Sequence, residues 1–271
     1  MTGHDITPSE TPGSAPMDVL VIVPTYNEAQ TLPGTLARLR AAVPAAQVLV
    51  VDDGSPDGTA DLAAELGRRD DHIHLMRRTA KEGLGPAYRA GFRWGLERGA
   101  GLLVEMDADA SHRPEQLPRL LTAAGPLDQD GPELVIGSRY VPGGDVHDWS
   151  RRRELLSRGA NLYVRLLTGL PVADSTAGFR AYRAALLERL LEQDVASQGY
   201  CFQIDMTRRA RRAGARIVEV PIDFDERTEG ASKMTGRIVR EALVDVAVWG
   251  VQDRSRQLRE SLRRRRGRSI R

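Results

Sequence analysis

LLVEMDADASH, residues 102–112, is the stretch on which the fold turns. Leu102 to Met106 is a short apolar run that reads as a buried strand, and it stops at two acids one residue apart, Asp107 and Asp109. The same pattern repeats toward the N-terminus. Asp18 to Pro24 is an apolar run closed by proline, Gln47 to Val51 runs into the dense turn signal DDGSPDG, and Ile73 to Met76 is a third strand. Helices are expected between them: from Asn27-Glu28 through Leu32, Leu36 and Leu39, over Thr59–Arg69, and over Pro86–Arg98. Toward the C-terminus a helix opens at Pro114 and ends near Ala124, and Glu133 to Gly137 is a fifth strand.

Strands alternating with helices of this length predict an α/β fold, a mostly parallel central sheet with helices on both faces. In such sheets ligands sit beyond the carboxyl ends of the strands. That rule places Pro24, Asp52 and Asp107 in one crevice. The second half is less regular. Helices are expected over Leu155–Thr168, Arg183–Leu191 and Phe202–Ala213, and a loop over Asp174–Arg180. Arg216–Phe224 reads as a strand in which Pro221 marks an edge or bulge, followed by a polar loop from Glu226 to Lys233 and an amphipathic helix from Gly236 to Gly250.

The 271 residues suffice for one sizeable domain, and no internal repeat or clear linker divides them. With 41% apolar and 28% charged residues the composition is that of a globular protein. The reading divides the chain into a flexible leader (1–16), a catalytic domain (17–235), an amphipathic helix (236–253) and a basic tail (254–271). One cysteine, Cys201, excludes a disulfide framework within the chain. Neither a secretory signal nor a bilayer-spanning helix is expected, since no run of 18 apolar residues occurs. Charge is uneven. The tail holds nine arginines and one acid, so a chain of net +2 carries −6 over its first 253 residues and +8 over the rest. Such a tail is either a solvated end or a contact for anionic lipid headgroups or nucleic acid. Lys81 and Lys233 are the only lysines beside 37 arginines.

Two carboxylates at a strand end suit a hard cation, Mg2+ or Mn2+, whose remaining positions diphosphate oxygens can fill. The alternative is a solvated turn. Asp52-Asp53-Gly54-Ser55 is a second acid pair, either accepting bonds from base or ribose or forming the turn and helix cap. In Pro24-Thr-Tyr-Asn-Glu28 the ring of Tyr26 and the carboxylate of Glu28 can clasp a base, or else form a helix entry with a packed tyrosine. His112 is a ligand or a packed side chain. No Gly-x-Gly-x-x-Gly follows the first strand and no Gly-Lys-Ser/Thr pattern occurs, so phosphate falls to metal and arginines, among them Arg139, Arg158, Arg180 and Arg227.

The stretches 21–28, 51–55, 106–112, 135–140, 157–161, 174–180 and 227–233 together resemble glycosyltransferase family 2 proteins of the A-type fold, and within them the dolichol-phosphate or polyprenol-monophosphate mannosyltransferases. The resemblance runs in order over roughly residues 18 to 235. It implies GDP-mannose as donor, a polyprenyl phosphate in the membrane as acceptor, and an inverted, β-linked product. Base and ribose contacts would fall on Pro24, Tyr26, Glu28 and Asp52. Metal and diphosphate would fall on Asp107, Ala108 and Asp109, and phosphate on Arg139, Arg227 and Lys233. Some relatives have glutamine where this chain has Ser111, which weakens a side-chain ligand there. Soluble relatives exist, some working with a separate membrane-spanning partner. The expected setting is cytoplasmic and peripheral to the cytoplasmic membrane face, with no nucleic acid involved. UDP-glucose as donor, another inverting family 2 reaction, a nucleotidyltransferase, or a non-enzymatic nucleotide-sugar binder are the alternatives.

Overall fold

The computed structural model describes residues 17–192, 200–226 and 243–255. The expected leader, most of the basic tail, and the loop carrying Arg227 and Lys233 lie outside the described residues.

The first half alternates as expected: β1 (Val19–Thr25), α1 (Leu32–Ala42), β2 (Gln47–Asp52), α2 (Thr59–Arg69), β3 (Ile73–Arg77), α3 (Leu84–Glu97), β4 (Leu102–Glu105), a 3-10 turn (Pro114–Gln116), α4 (Leu117–Ala124) and β5 (Leu134–Ser138). There follow β6 (Asp145–Val146), α5 (Arg151–Thr168), β7 (Arg180–Arg183), α6 (Ala184–Leu191), α7 (Tyr200–Arg212), β8 (Ile217–Pro221) and β9 (Asp223–Phe224). Residues 243–255 are helical and form α8. α5 begins four residues ahead of the expected Leu155 because its first turn is arginine-rich and carries no apolar signal. Ser150 caps it by accepting the Arg153 N–H, and Gly169 closes it in the left-handed region at φ 65°.

Seven strands form one sheet in the order β3-β2-β1-β4-β7-β5-β8. Neighbours pair in parallel except around β7, which is antiparallel to both β4 and β5. β7 falls partly where a loop was expected, and it makes a mixed sheet of a mostly parallel one. As Pro221 foretold, β8 lies at the edge.

Alternation along the strands divides the core in two. Leu20, Ile22, Leu49 and Val51 pack with Tyr88 and Phe92 of α3, Val164 of α5, Leu186 of α6 and Phe202 of α7. Val21, Val23, Val48 and Val50 pack with Leu32 and Leu36 of α1, Ala63 of α2 and Leu120 of α4. Each strand therefore buries both faces, which explains the near-continuous apolar runs read from the sequence. The strand ends they fix are level: Thr25 lies opposite Asp52, and Asp52 opposite Arg77.

Candidate functional site

Asp107 and Asp109 follow β4 in the middle of the sheet, with β1 on one side and β7 on the other. The loop bends at Ala110, a non-glycine residue at φ 63°. This left-handed turn brings Ser111 back, so that its N–H (3.1 Å) and its hydroxyl (2.5 Å) both donate to Asp109 Oδ1. Asp109 is thereby fixed and 5% exposed, whereas the Asp107 side chain is 24% exposed. Behind Asp107 stands Tyr88, whose hydroxyl donates to Oδ1 at 3.3 Å. Burial pushes the Tyr88 hydroxyl well up, so it stays a donor. The Ala108 carbonyl accepts from the Thr35 hydroxyl at 3.2 Å, which ties the loop to α1.

His112 is a packed side chain whose Nδ1 accepts the Asp107 N–H at 3.0 Å. Its ring stacks on Phe179 and meets the edge of Phe224. Gly178 lies against the same pair: a Cβ there would stand 3.3 Å from His112 Cε1 and 3.6 Å from Asp107 Oδ2. Arg113 clamps β9 to this loop through Asp225, at 2.6 and 2.7 Å.

The carboxylates offer hard oxygen donors, the right chemistry for Mg2+ or Mn2+. Among the described residues no group of three or more His, Cys, Asp or Glu side chains completes a metal cage. The donor set fits a cation that takes its remaining ligands from a diphosphate.

Toward β2 the second acid pair splits into two roles. Asp52 is 1% exposed and ties the turn together. Its Oδ2 accepts from the Thr25 hydroxyl (2.9 Å) and the Ser55 hydroxyl (2.6 Å), and its Oδ1 from the Gly54 and Ser55 N–H groups. Asp53 pairs instead with buried Arg78 at 2.5 Å. Burial pushes the Asp53 carboxyl up, against the pull of the Arg78 charge. Glu28 Oε2 accepts from the Thr31 hydroxyl at 3.0 Å, at the entry to α1. Tyr26 is half-buried, and Lys81 Nζ lies 3.7 Å from its ring centroid.

On the far side of β4, Arg139 leaves β5 and meets Asp174 fork to fork. Its guanidinium also lies over the rings of Tyr140, Trp149 and Phe224. Asn161 of α5 holds Ser175 and reaches Thr176, so the 174–180 loop is fixed from α5 as well as from β5.

Arg180, expected among the phosphate arginines, is instead buried under the loop, and sequence reasoning missed the buried Glu105 opposite it in the sheet. Arg180, fully buried in β7, donates to the carbonyls of Ala177, Gln203 and Ser175 and to the Thr207 hydroxyl. Glu105, two residues before Asp107, is also fully buried. Burial pushes its carboxyl up to about 8 despite the Arg180 charge and the nearby Gln203 amide. Neither Glu105 oxygen has a hydrogen bond of normal geometry. The observable signal was a glutamate inside an otherwise apolar strand run.

Pro24, Tyr26, Glu28 and Asp52 thus gather at the ends of β1 and β2, and Asp107, Ala108 and Asp109 at the end of the adjacent β4. Arg139 lies across β7 from them.

The chain is similar to known proteins over most of its length. The chain is 56% identical over 246 residues to the undecaprenyl-phosphate mannosyltransferase of Micrococcus luteus, covering 91% of this chain and 99% of that one. It is 56% identical over 236 residues to the polyprenol monophosphomannose synthase of Mycolicibacterium smegmatis, covering 87% and 88%. Among solved structures, glucosyl-3-phosphoglycerate synthase of Mycobacterium tuberculosis superposes with a TM-score of 0.63 at 20% identity, over 85% of this chain and 80% of that one. A mannosyltransferase of Pyrobaculum calidifontis, solved with GDP-mannose and Mn2+, gives 0.56 at 21% identity, over 94% and 68%. These likenesses establish the A-type glycosyltransferase fold. Residues 20–191 match the profile of glycosyl transferase family 2, and the chain belongs to that family of enzymes.

Proposed function

We propose that this enzyme transfers mannose from GDP-mannose to the phosphate of a membrane polyprenyl monophosphate, with inversion at the anomeric carbon and release of GDP. The observation that carries the reading is the fixed Asp107-Ala108-Asp109 loop at mid-sheet, in a chain so close to relatives named for mannosyl transfer to polyprenyl phosphates. Asp107 and Asp109 would hold Mg2+ or Mn2+, which when bound neutralises charge on the departing diphosphate. Pro24, Tyr26, Glu28 and Asp52 frame the nucleoside end. Arg227 and Lys233 are proposed phosphate contacts. Arg139, also expected as a phosphate contact, has its fork taken by buried Asp174, and in this reading it orders the acceptor side instead.

A phosphomonoester has its second pKa at about 6, so the acceptor is already largely dianionic at neutral pH and needs no general base. It attacks the anomeric carbon from the face opposite GDP. Positioning and stabilisation of the leaving group then supply the rate. Among the described residues His112 lies beside the acids as a packed side chain, its Nδ1 taken by the Asp107 N–H and its ring stacked on Phe179.

The outer faces of α5 and α8 support a bilayer acceptor. No helix among the described residues is long and apolar enough to cross a membrane. Yet Leu155, Leu162 and Leu166 stand exposed along one ridge of α5, at spacings of seven and four residues, beside Arg151, Arg158 and Arg165. α8 lies against the same helix, Tyr163 donating to the Leu243 carbonyl, and exposes Val244, Val248 and Val251. Apolar ridges edged with arginine suit the interface of an anionic membrane. The inner face of α5 meanwhile holds the Arg139–Asp174 loop through Asn161, which would bring the membrane surface within one helix diameter of the site.

The test is isotope transfer. The protein is incubated with membranes and either labelled GDP-mannose or labelled UDP-glucose, with and without chelator, and lipid is extracted. The reading predicts lipid label from GDP-mannose that chelator abolishes. Label from UDP-glucose alone would overturn the donor.

A further inference from the structure

The loop between β3 and α3 is built around one carboxylate. Arg78, buried, donates to Asp53 Oδ1 at 2.5 Å and also pairs with Glu82, while the Gly83 N–H reaches Asp53 Oδ2 at 3.3 Å. Both ends of the loop are thereby tied to the acid pair after β2. Gly54 gives the β2 turn beneath its left-handed φ of +76°. The stretch between the anchors carries Lys81, one of two lysines in a chain of 37 arginines. Its ammonium rests over the Tyr26 ring, 3.7 Å from the centroid. Loops from β1, β2 and β3 therefore meet at one end of the crevice, with a cation standing over the aromatic face.

We propose that Lys81 selects the nucleobase: when a base stacks on Tyr26, the ammonium donates to its keto edge. The inference rests on Tyr26 serving as the base platform, as in the function proposed above. An ammonium carries three donors and no acceptor. It matches guanine O6 and N7, or uracil O4, and opposes the amino groups that adenine and cytosine present at the same positions. Cation–π contact holds the ammonium on the ring face until a base stacks there and displaces it to the base's edge. The buried Arg78–Asp53 pair fixes the loop, so Lys81 acts from a rigid base rather than from a wandering strand end.

The test is calorimetric titration of the full chain, in Mn2+, with GDP, IDP, ADP, UDP and CDP. Wild type should favour GDP and IDP over ADP, and UDP over CDP. Lys81→Met should shrink both ratios roughly tenfold, and Lys81→Arg should keep them. Because Lys81 is exposed, thermal melting should not move and folding is not in question. Unchanged keto-to-amino ratios in Lys81→Met, or no such preference in wild type, would overturn the inference. A wild type favouring UDP over GDP would instead remove the GDP-mannose reading, and the UDP-to-CDP ratio in Lys81→Met would still decide the role of Lys81. Binding of none of the five removes both.

Discussion

Arg139 and Asp174 form a buried bidentate pair, Nε to Oδ2 at 2.6 Å and Nη2 to Oδ1 at 2.7 Å, and the Arg139 N–H adds a third bond at 3.1 Å. Asp174 belongs to the loop that reaches Gly178 beside Asp107, so the pair links the end of β5 to the acid loop. Removing one partner strands a buried charge, at a cost of about 3–5 kcal/mol. Asp174→Asn and Arg139→Ala should each lower the melting temperature by several degrees. The double variant should lose less than the two singles combined, and a double-mutant cycle by thermal unfolding measures that coupling.

The same pair sets an acid limit. Burial alone would raise the Asp174 carboxyl, but the Arg139 charge and the bonds from Arg139 and Thr176 hold it below the ordinary value of 3.8. A carboxylate depressed in the fold contributes stability above its unfolded pKa and loses it as pH falls through the folded value. Wild type should therefore lose stability with acid below about pH 4 more steeply than Asp174→Asn. Unfolding curves from pH 7 down to pH 3 check this, and parallel curves would contradict it.

Ser111 donates twice to Asp109 Oδ1 across the Ala110 bend. Ser111→Ala removes the hydroxyl bond and leaves the backbone bond. Loss of such a supporting contact weakens metal affinity by roughly 10-fold to 100-fold. Activity should need more Mg2+ or Mn2+ and recover at saturating metal, which a metal titration of transfer rate reads directly.

Exposed leucines on α5 contribute little to folding. Leu155→Ser, Leu162→Ser and Leu166→Ser combined should leave the melting temperature nearly unchanged. The triple variant should nevertheless float poorly with vesicles containing anionic lipid, while GDP binding holds. Removing residues 254–271 should weaken flotation further, each basic residue near the surface being worth about 1 kcal/mol. Flotation equal to wild type in both variants would contradict the membrane contact.

Much of this was legible in the sequence for a physical reason. Strands buried on both faces are continuous apolar runs, so β1 to β5 announced themselves, and α2 begins and ends at the residues expected, Thr59 and Arg69. Asp107 and Asp109 stood out as acids where such a run stops. β7 did not, because it has four residues and opens with Arg180, a charge that local reading keeps at the surface. Only distant partners, the carbonyls of Gln203 and Ser175 and the Thr207 hydroxyl, make its burial tolerable. Asp52 was open between turn and ligand, since both use a carboxylate after a strand. Its bonds to Thr25 and Ser55 show the turn role, which no spacing rule reveals. Lys81 over Tyr26 joins residues 55 positions apart and was out of reach for the same reason.

The most direct test of the account is lipid-extractable label from GDP-mannose with purified Asp109→Ala, at saturating metal, on vesicles containing polyprenyl phosphate. Melting temperature close to wild type must first show an intact fold. The account predicts a loss of roughly 100-fold or more, as for removal of a main electrostatic support of the transition state. Turnover near that of wild type would contradict it.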